Sequence, residues 1–360
     1  MISVLLIFSQ SFFSTRGLGE DILVSDAVME AYGKRVSLSL LNPAYPSQFP
    51  LTSFFLTGLG GAIYAQEDNR ERALWDIRPQ TFIALIPLPY STGISLGISE
   101  SFNQSFDIFS DSISVSGISY QHHVKGRGGI YRGYMGGCKS LFNHLSIGLE
   151  YNYLFGGSTE EWMLEILGGE YLTHDSCKAG YSGDYLKTGI LIHTKFLSFG
   201  GLCEMPGRLN ISTCVKTVAK TDSFKVKGSL PLSYGFGLKV SPKKGVELSF
   251  DYFKRVWKDK TIGGVKFKDS DKYSIGIGYK YWRLGYYRMN WSSLTIENRP
   301  IREEMVSIGY PLPLKPWGVL QLCGGAGKRE GENLREWIGR VGFTLFFQEP
   351  WKKRKRKWGW

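Results

Sequence analysis

Three short stretches hold residue types that could do covalent chemistry. His174-Asp175-Ser176 has the ingredients of a hydrolytic triad, but a triad needs nucleophile, base and orienting acid stacked one behind another, which three adjacent loop residues do not achieve. Gly93-Ile94-Ser95-Leu96-Gly97 fits the nucleophile pattern G-x-S-x-G. That pattern works only on a sharp strand-to-helix turn, whereas apolar-polar alternation here continues through Ile98. Gly324-Gly325-Ala326-Gly327-Lys328 imitates part of a phosphate-binding loop, with Leu322 in place of the leading glycine and Arg329 in place of Ser or Thr. The five histidines show no metal spacing, and the five cysteines are odd in number and lack C-x-x-C pairs. Cys203 and Cys214 could pair across a turn, but small wall residues are the better reading. The sequence therefore predicts no catalytic residue, no metal and no cofactor.

What remains are polar residues set into strands, and the strands decide what those residues can do. From Leu230 to Val240 the apolar set Leu230, Leu232, Tyr234, Phe236, Leu238 and Val240 alternates with Pro231, Ser233, Gly235, Gly237 and Lys239. A two-residue period puts the two sets on opposite faces of a strand. Tyr273, Ile275, Ile277, Tyr279 and Tyr281 repeat the pattern against Ser274, Gly276, Gly278 and Lys280, as do Leu145, Ile147, Leu149, Tyr151 and Tyr153 against Ser146, Gly148, Glu150 and Asn152. These runs last about nine to eleven residues with aromatic ends, the length and edging of a tilted membrane strand rather than a sandwich strand. Counting weaker candidates gives about 14 to 16 strands, among them 51–66, 79–89, 112–124, 128–138, 160–173 and 185–196.

Bulk composition agrees. Glycine supplies 44 of 360 residues and aromatics 14%, a mixture suited to strands, turns and aromatic girdles. The longest apolar stretches, such as Phe82 to Pro89, are too short for a spanning helix. In lipid, unpaired strand edges would each cost several kcal/mol, so a strand set of this size must close. The expectation is an all-β fold, a single closed antiparallel transmembrane β-barrel of those roughly 14 to 16 strands. Ser233, Lys239 and Asp251 are then candidate polar groups of the lumen, with Lys239 able to meet either a ligand carboxylate or a neighbouring acid. Val341, Phe343, Leu345 and Phe347 alternate along the last strand and form the expected assembly signal, read by the barrel-assembly machinery.

The two ends differ in kind. Residues 1–18 hold an apolar stretch, Ile2 to Phe8, then small residues near Gly17 and Gly19, and read as a signal peptide despite lacking a preceding cation or an A-x-A site. Residues 348–360 carry six cations, Lys352 to Lys357 inclusive of Arg354 and Arg356, against Glu349, a large part of the chain's +12 charge. A periplasmic tail touching anionic outer-membrane lipid is the expectation, and nucleic acid is not an expected partner. The domain plan is thus signal peptide 1–18, barrel 51–347 and basic tail 348–360, with residues 19–50 between the signal and the first strand.

Three stretches resemble the FadL family of outer-membrane transporters for long-chain fatty acids and other hydrophobic compounds, which has PorV-like barrels among its relatives. Asn42-Pro43-Ala44 matches the family's NPA plug motif. Leu230-Pro231 through Gly235-Phe236-Gly237, Pro242, Asp251-Tyr252 and Trp257 resembles its late strand-turn-strand signature, and Gly148 to Gly156 a mid-barrel strand. The resemblance implies a barrel of about 14 strands in the bacterial outer membrane, plugged by the N-terminal segment 19–50, that captures a hydrophobic small molecule and releases it sideways through the wall. It also implies no enzyme. A lateral gap requires a pairing defect, and the face Ile94, Leu96, Ile98 is interrupted at Glu100. A bend or bulge over Glu100, Ser101, Phe102, Asn103 and Gln104 is therefore expected. The alternatives are a secretion shuttle or surface-protein anchor, and a structural barrel without transport.

Overall fold

The computed structural model describes residues 11–349 apart from 16, 24–25, 68–69, 110–112, 116–117, 143, 167–169, 259, 295–298, 315–317 and 333. Among these residues the chain forms a closed antiparallel barrel of 14 strands, as the alternation predicts. They are β1 (Thr52–Glu67), β2 (Arg70–Leu88), β3 (Thr92–Asn103), β4 (Ile118–Leu141), β5 (Leu145–Ile166), β6 (Glu170–His193), β7 (Leu197–Glu204 with Arg208–Lys216), β8 (Thr221–Ser229 with Leu232–Lys243), β9 (Val246–Val256), β10 (Ser270–Tyr279), β11 (Trp282–Leu294), β12 (Pro300–Leu314), β13 (Gly318–Gly331) and β14 (Leu334–Glu349). β1 also pairs with β14, from Thr52 opposite Glu349 to Glu67 opposite Leu334, which closes the cylinder. No described helix is long and apolar enough to cross a membrane, and the strands do the crossing.

Facing follows side-chain type. Leu232, Phe236, Ile275 and Ile277 are exposed on the outer surface, while Ser233, Asp251 and Ser274 are buried within. The one departure in this set is Leu230, which is buried beside Pro231 where β8 breaks. Proline has no N–H for the ladder, so the strand interrupts there and Leu230 turns inward. Candidates 112–124 and 128–138 belong mainly to one long strand, β4, and 160–173 straddles the β5–β6 turn. The last strand runs to Glu349, and the residues of the expected basic tail beyond it lie outside those described.

The chain's own N-terminal segment lies against the inner wall, and its described residues between 11 and 49 are buried almost throughout. A short helix, α1 (Ala27–Ala31), is capped by Asp26, whose carboxylate accepts the Met29 N–H. It packs against β11–β14. Gly33 then takes φ +80°, and a Cβ there would lie 2.6 Å from the Tyr286 carbonyl oxygen, so only glycine lets the chain turn this close to the wall. Residues 1–18 were read as a signal peptide, but Ser11 donates to Glu336 at 2.8 Å and Phe13 packs edge-on to Trp291. Those contacts place Ser11 and Phe13 against the inner wall. The rest of that expectation falls on residues outside those described.

Candidate functional site

Asn42-Pro43-Ala44 sits on the inner wall of β5–β7. The Asn42 amide nitrogen lies 2.7 Å from the Ser37 carbonyl and 3.2 Å from those of Ile190 and Gly201, and its oxygen accepts the Ala44 N–H at 3.0 Å. Gly148 and Gly189 face each other across the β5–β6 ladder and form the floor. A Cβ on Gly189 would come within 2.0 Å of Asn42 Oδ1, and one on Gly148 within 2.2 Å of the Pro43 carbonyl carbon. Asp251 holds the same segment from β9 by accepting the Val36 and Ser37 N–H groups at 3.1 and 2.8 Å.

Further toward the long-loop end the segment is fixed by charge. Arg329 on β13 is fully buried and reaches Glu20 at 2.9 Å, Glu303 at 2.7 Å and Glu336 at 2.9 Å, with its guanidinium over the Trp291 ring. Arg340 on β14 bonds Glu20 at 2.6 Å and Glu303 at 3.3 Å, and Lys34 reaches Glu303 at 3.3 Å. Three strands and the interior segment thus share one lattice of opposite charges, which is what lets such charges stay buried. Burial by itself would raise the Glu20 carboxyl, but Arg329 and Arg340 outweigh it and hold Glu20 below the ordinary carboxylate value.

The opposite wall is incomplete. The β2–β3 ladder runs from Leu88 opposite Thr92 to Thr81 opposite Ser99 and stops. Beyond it, among the described residues, 70–79 pair on one edge with β1, Gln80 being left over at a register shift, while Phe102 and Asn103 pair with Asp21 and Glu20 of the interior segment. The β3–β4 register shifts between Glu100 and Phe102, leaving Ser101 as an extra residue. Uninterrupted alternation would give Ile98 and Phe102 one face, yet Ile98 is 53% exposed and Phe102 6%. Glu100 spans the seam: Arg78 approaches it at 3.1 Å, Gln80 donates at 2.7 Å and Asn103 at 2.6 Å. Gln104 donates its backbone N–H to Gly128 at 3.0 Å.

Behind the bulge is a cavity of about 40 Å³. Ser101 and Phe102 of the bulge, Ile22 and Leu23 of the interior segment, and Leu154 and Trp257 of the wall line it. Ser233 also faces it. Its cations are already engaged: Lys187 pairs with Glu204 at 3.0 Å, Arg255 with Asp21, and Arg132 donates to Ser99 at 3.1 Å. Lys239 lies elsewhere, paired with Glu247 at 3.5 Å near the short-turn end. Val341, Phe343 and Phe347 are exposed on the outer surface of β14.

The stretches considered for catalysis are dispersed by the fold. His174, Asp175 and Ser176 are successive on β6, where neighbours point to opposite faces. Asp175 accepts the Val218 N–H and His174 lies 3.9 Å from Glu161. Among the described residues all five cysteines are free, and no trio of His, Cys, Asp or Glu is placed to hold a metal. The sequence reading missed Arg329, Glu303 and Glu336, because they meet only through the register of separate strands.

A closed antiparallel barrel with outward apolar and inward polar side chains, its own N-terminal segment against the inner wall and one broken seam, is a membrane barrel of the outer-membrane type. The BamG profile matches residues 12–199, more than half of the 360, and the chain belongs to the BamG family. No curated protein sequence matches it. Among solved structures it is similar to the CymD monoaromatic hydrocarbon channel (TM-score 0.60, 13% identity, 90% of this chain and 97% of that one). It is similar also to a Pseudomonas aeruginosa FadL homologue (0.62, 10%, 91% and 100%) and to the P. putida toluene transporter TodX (0.57, 13%, 91% and 99%). At such identities the likeness is one of fold, and at that level the FadL resemblance holds.

Proposed function

We propose that this chain sits in the bacterial outer membrane and passes hydrophobic small molecules through the cavity beside the N-terminal segment, releasing them sideways at the β2–β3 seam. The observation that carries the reading is shared lining: Ser101 and Phe102 belong both to the cavity and to the bulge where wall pairing fails. An apolar solute gains by moving from such a cavity directly into lipid without rehydration. The similar solved structures are named as hydrocarbon channels and a toluene transporter, which supports the same class of cargo. In this reading residues 19–50 are the plug, Asn42-Pro43-Ala44 its fixed hinge, and Ile22 and Leu23 the portion that must shift, since about 40 Å³ is well below the roughly 300 Å³ of an ordinary ligand site.

The test is uptake of labelled toluene and of a labelled long-chain fatty acid by cells expressing the chain. Faster entry than in cells without it, slowed by Leu154→Trp, supports the proposal; entry unaffected by expression for both cargoes contradicts it. A second reading, as an anchoring or barrel-assembly partner, draws on three observations. The family is named BamG, the cavity is small, and β4, β5 and β6 reach 24, 22 and 24 residues, about twice the span of a bilayer. Co-purification of a barrel-assembly complex with the wild-type chain, lost when residues 158–181 are replaced by a short turn, would favour it.

A further inference from the structure

A different feature occupies the outer face of β6, β7 and β8, away from the cavity. Lys178 on β6 stands beside Cys214 on β7, which stands beside Ser223 on β8; Gly180, Ser212 and Lys225 form the next row, and Ser182, Asn210 and Lys227 the one after. Side-by-side residues of a ladder share a face. Here it is the outward one, because Lys178 and Gly180 alternate in phase with Leu186, Ile190 and Ile192, which are exposed on the outer wall. The row at Ser182 is level with Phe155 and the one below it with Tyr153, outward aromatics of β5. Such aromatics mark the membrane interface, and the long-loop end is the extracellular one. The lysines therefore begin level with the belt at Lys227 and rise above it through Lys225 and Lys178, at the height of outer-leaflet headgroups.

Lys178 and Lys225 flank a groove of about 670 Å³ whose floor is Gly180, Ser212, Cys214 and Ser223. Two strand spacings and one register step separate the two lysines, roughly 12 Å between Cα atoms, so both flexible stems can close on one group between them. Lys216 and Lys227 stand on the same face and are likewise exposed. Among the described residues none of these four lysines has a carboxylate within ion-pair distance. The acids of this face are Asp184, level with Arg208, and Glu161, which turns to His174. Asp222 pairs with Lys220 at 2.6 Å. Cations near the same end of the opposite wall are treated differently: Arg288 meets Glu304 at 3.7 Å, and Lys328 and Arg335 meet Glu330 at 3.3 and 3.0 Å.

We propose that the β6–β8 groove binds the phosphate of an outer-leaflet lipid headgroup, clasped by Lys178 and Lys225 with Lys216 and Lys227 alongside. Cations at a membrane surface strengthen anionic-lipid binding by about fivefold each, and four without acidic partners form a site only an anionic headgroup at this height completes. The test is native mass spectrometry of the full chain in detergent, with lipid A, a doubly phosphorylated glycolipid, and separately with inorganic phosphate. Lipid A adducts that persist through detergent exchange, reduced about twenty-fivefold in Lys178→Gln/Lys225→Gln and unchanged in Arg288→Gln, are the expected result. Heat-dependent gel mobility confirms that each variant is folded. Equal adducts in the double variant overturn the proposal, and so does inorganic phosphate that binds alone and displaces the lipid, since the ligand would then be a free anion. Uptake of hydrophobic cargo plays no part in the readout, so this inference and the transport reading can fail separately.

Discussion

The two sides of the lumen solve opposite problems with the same strand geometry. Toward β11–β14, the interior segment is tied by Arg329 and Arg340 into a lattice with Glu20, Glu303 and Glu336, and α1 lies against four continuous strands. Toward β2–β3 the ladder ends at Thr81 and Ser99, and a single carboxylate, Glu100, is shared among Arg78, Gln80 and Asn103. Glu20 and Asp21 connect the two, with backbones paired to the loose edge and the Glu20 side chain held by the tight wall. The contrast teaches that one wall acts as an anchor and the other as the place where motion is cheapest.

The largest expected effect comes from breaking the anchor. Arg329→Met leaves three buried carboxylates facing one another, and loss of one partner from such a set costs about 3 to 5 kcal/mol. Arg78→Met at the seam leaves Glu100 two other donors and costs about 1 to 2 kcal/mol. Urea unfolding followed by heat-dependent gel mobility measures both, and equal losses would dissolve the comparison. Next in size is Gly189→Val, which drives a side chain into Asn42 and should cost about 1 to 3 kcal/mol. Hydrogen exchange of residues 37–49 should accelerate while β11–β14 stay protected; uniform acceleration would mean that the hinge is not separable from the barrel.

How much of this could be read beforehand depends on where side chains meet lipid. Leu232, Phe236, Ile275 and Ile277 declared their face because the bilayer demands strict alternation. Arg208–Lys216 and Thr221–Ser229 escaped notice because their apolar residues Leu209, Ile211 and Val226 pack inward against an interior cluster while Asn210, Ser212, Lys225 and Lys227 face outward, the reverse of the pattern that lipid imposes. The stretch 70–78 escaped because charged residues, Arg70, Glu71, Arg72, Asp76 and Arg78, break up its apolar row. The interruption at Glu100 was visible as a polar residue in an apolar row, but its partners Arg78 and Gln80 lie on another strand. Arg329 was met as a flaw in a phosphate-loop pattern, and nothing local distinguishes it from a solvated arginine; its meaning comes from the register that brings Glu303 and Glu336 beside it.

A smaller effect sharpens the role of the connecting pair. Glu20 has its carboxyl held low in the folded chain, so its stabilising contribution is complete above the unfolded carboxylate value near 4.3 and fades as pH falls through the lower folded value. Docking of residues 11–23, followed by hydrogen exchange, should therefore persist from neutral pH to about pH 4 and loosen below it. In Glu20→Gln this acid-dependent loosening should disappear, with looser docking at every pH; an unchanged acid profile would place the sensitive group elsewhere.

The most direct test of the seam as an exit is deletion of Ser101, the residue that the β3–β4 ladder leaves over. Without it the two strands regain continuous register and the bend is removed, while the cavity wall formed by Leu154 and Trp257 stays in place. Uptake of labelled toluene by cells expressing this variant, with surface abundance and heat-dependent mobility matched to the parent, should fall to the level of cells lacking the chain. Undiminished uptake by a folded variant with a closed seam would contradict lateral release.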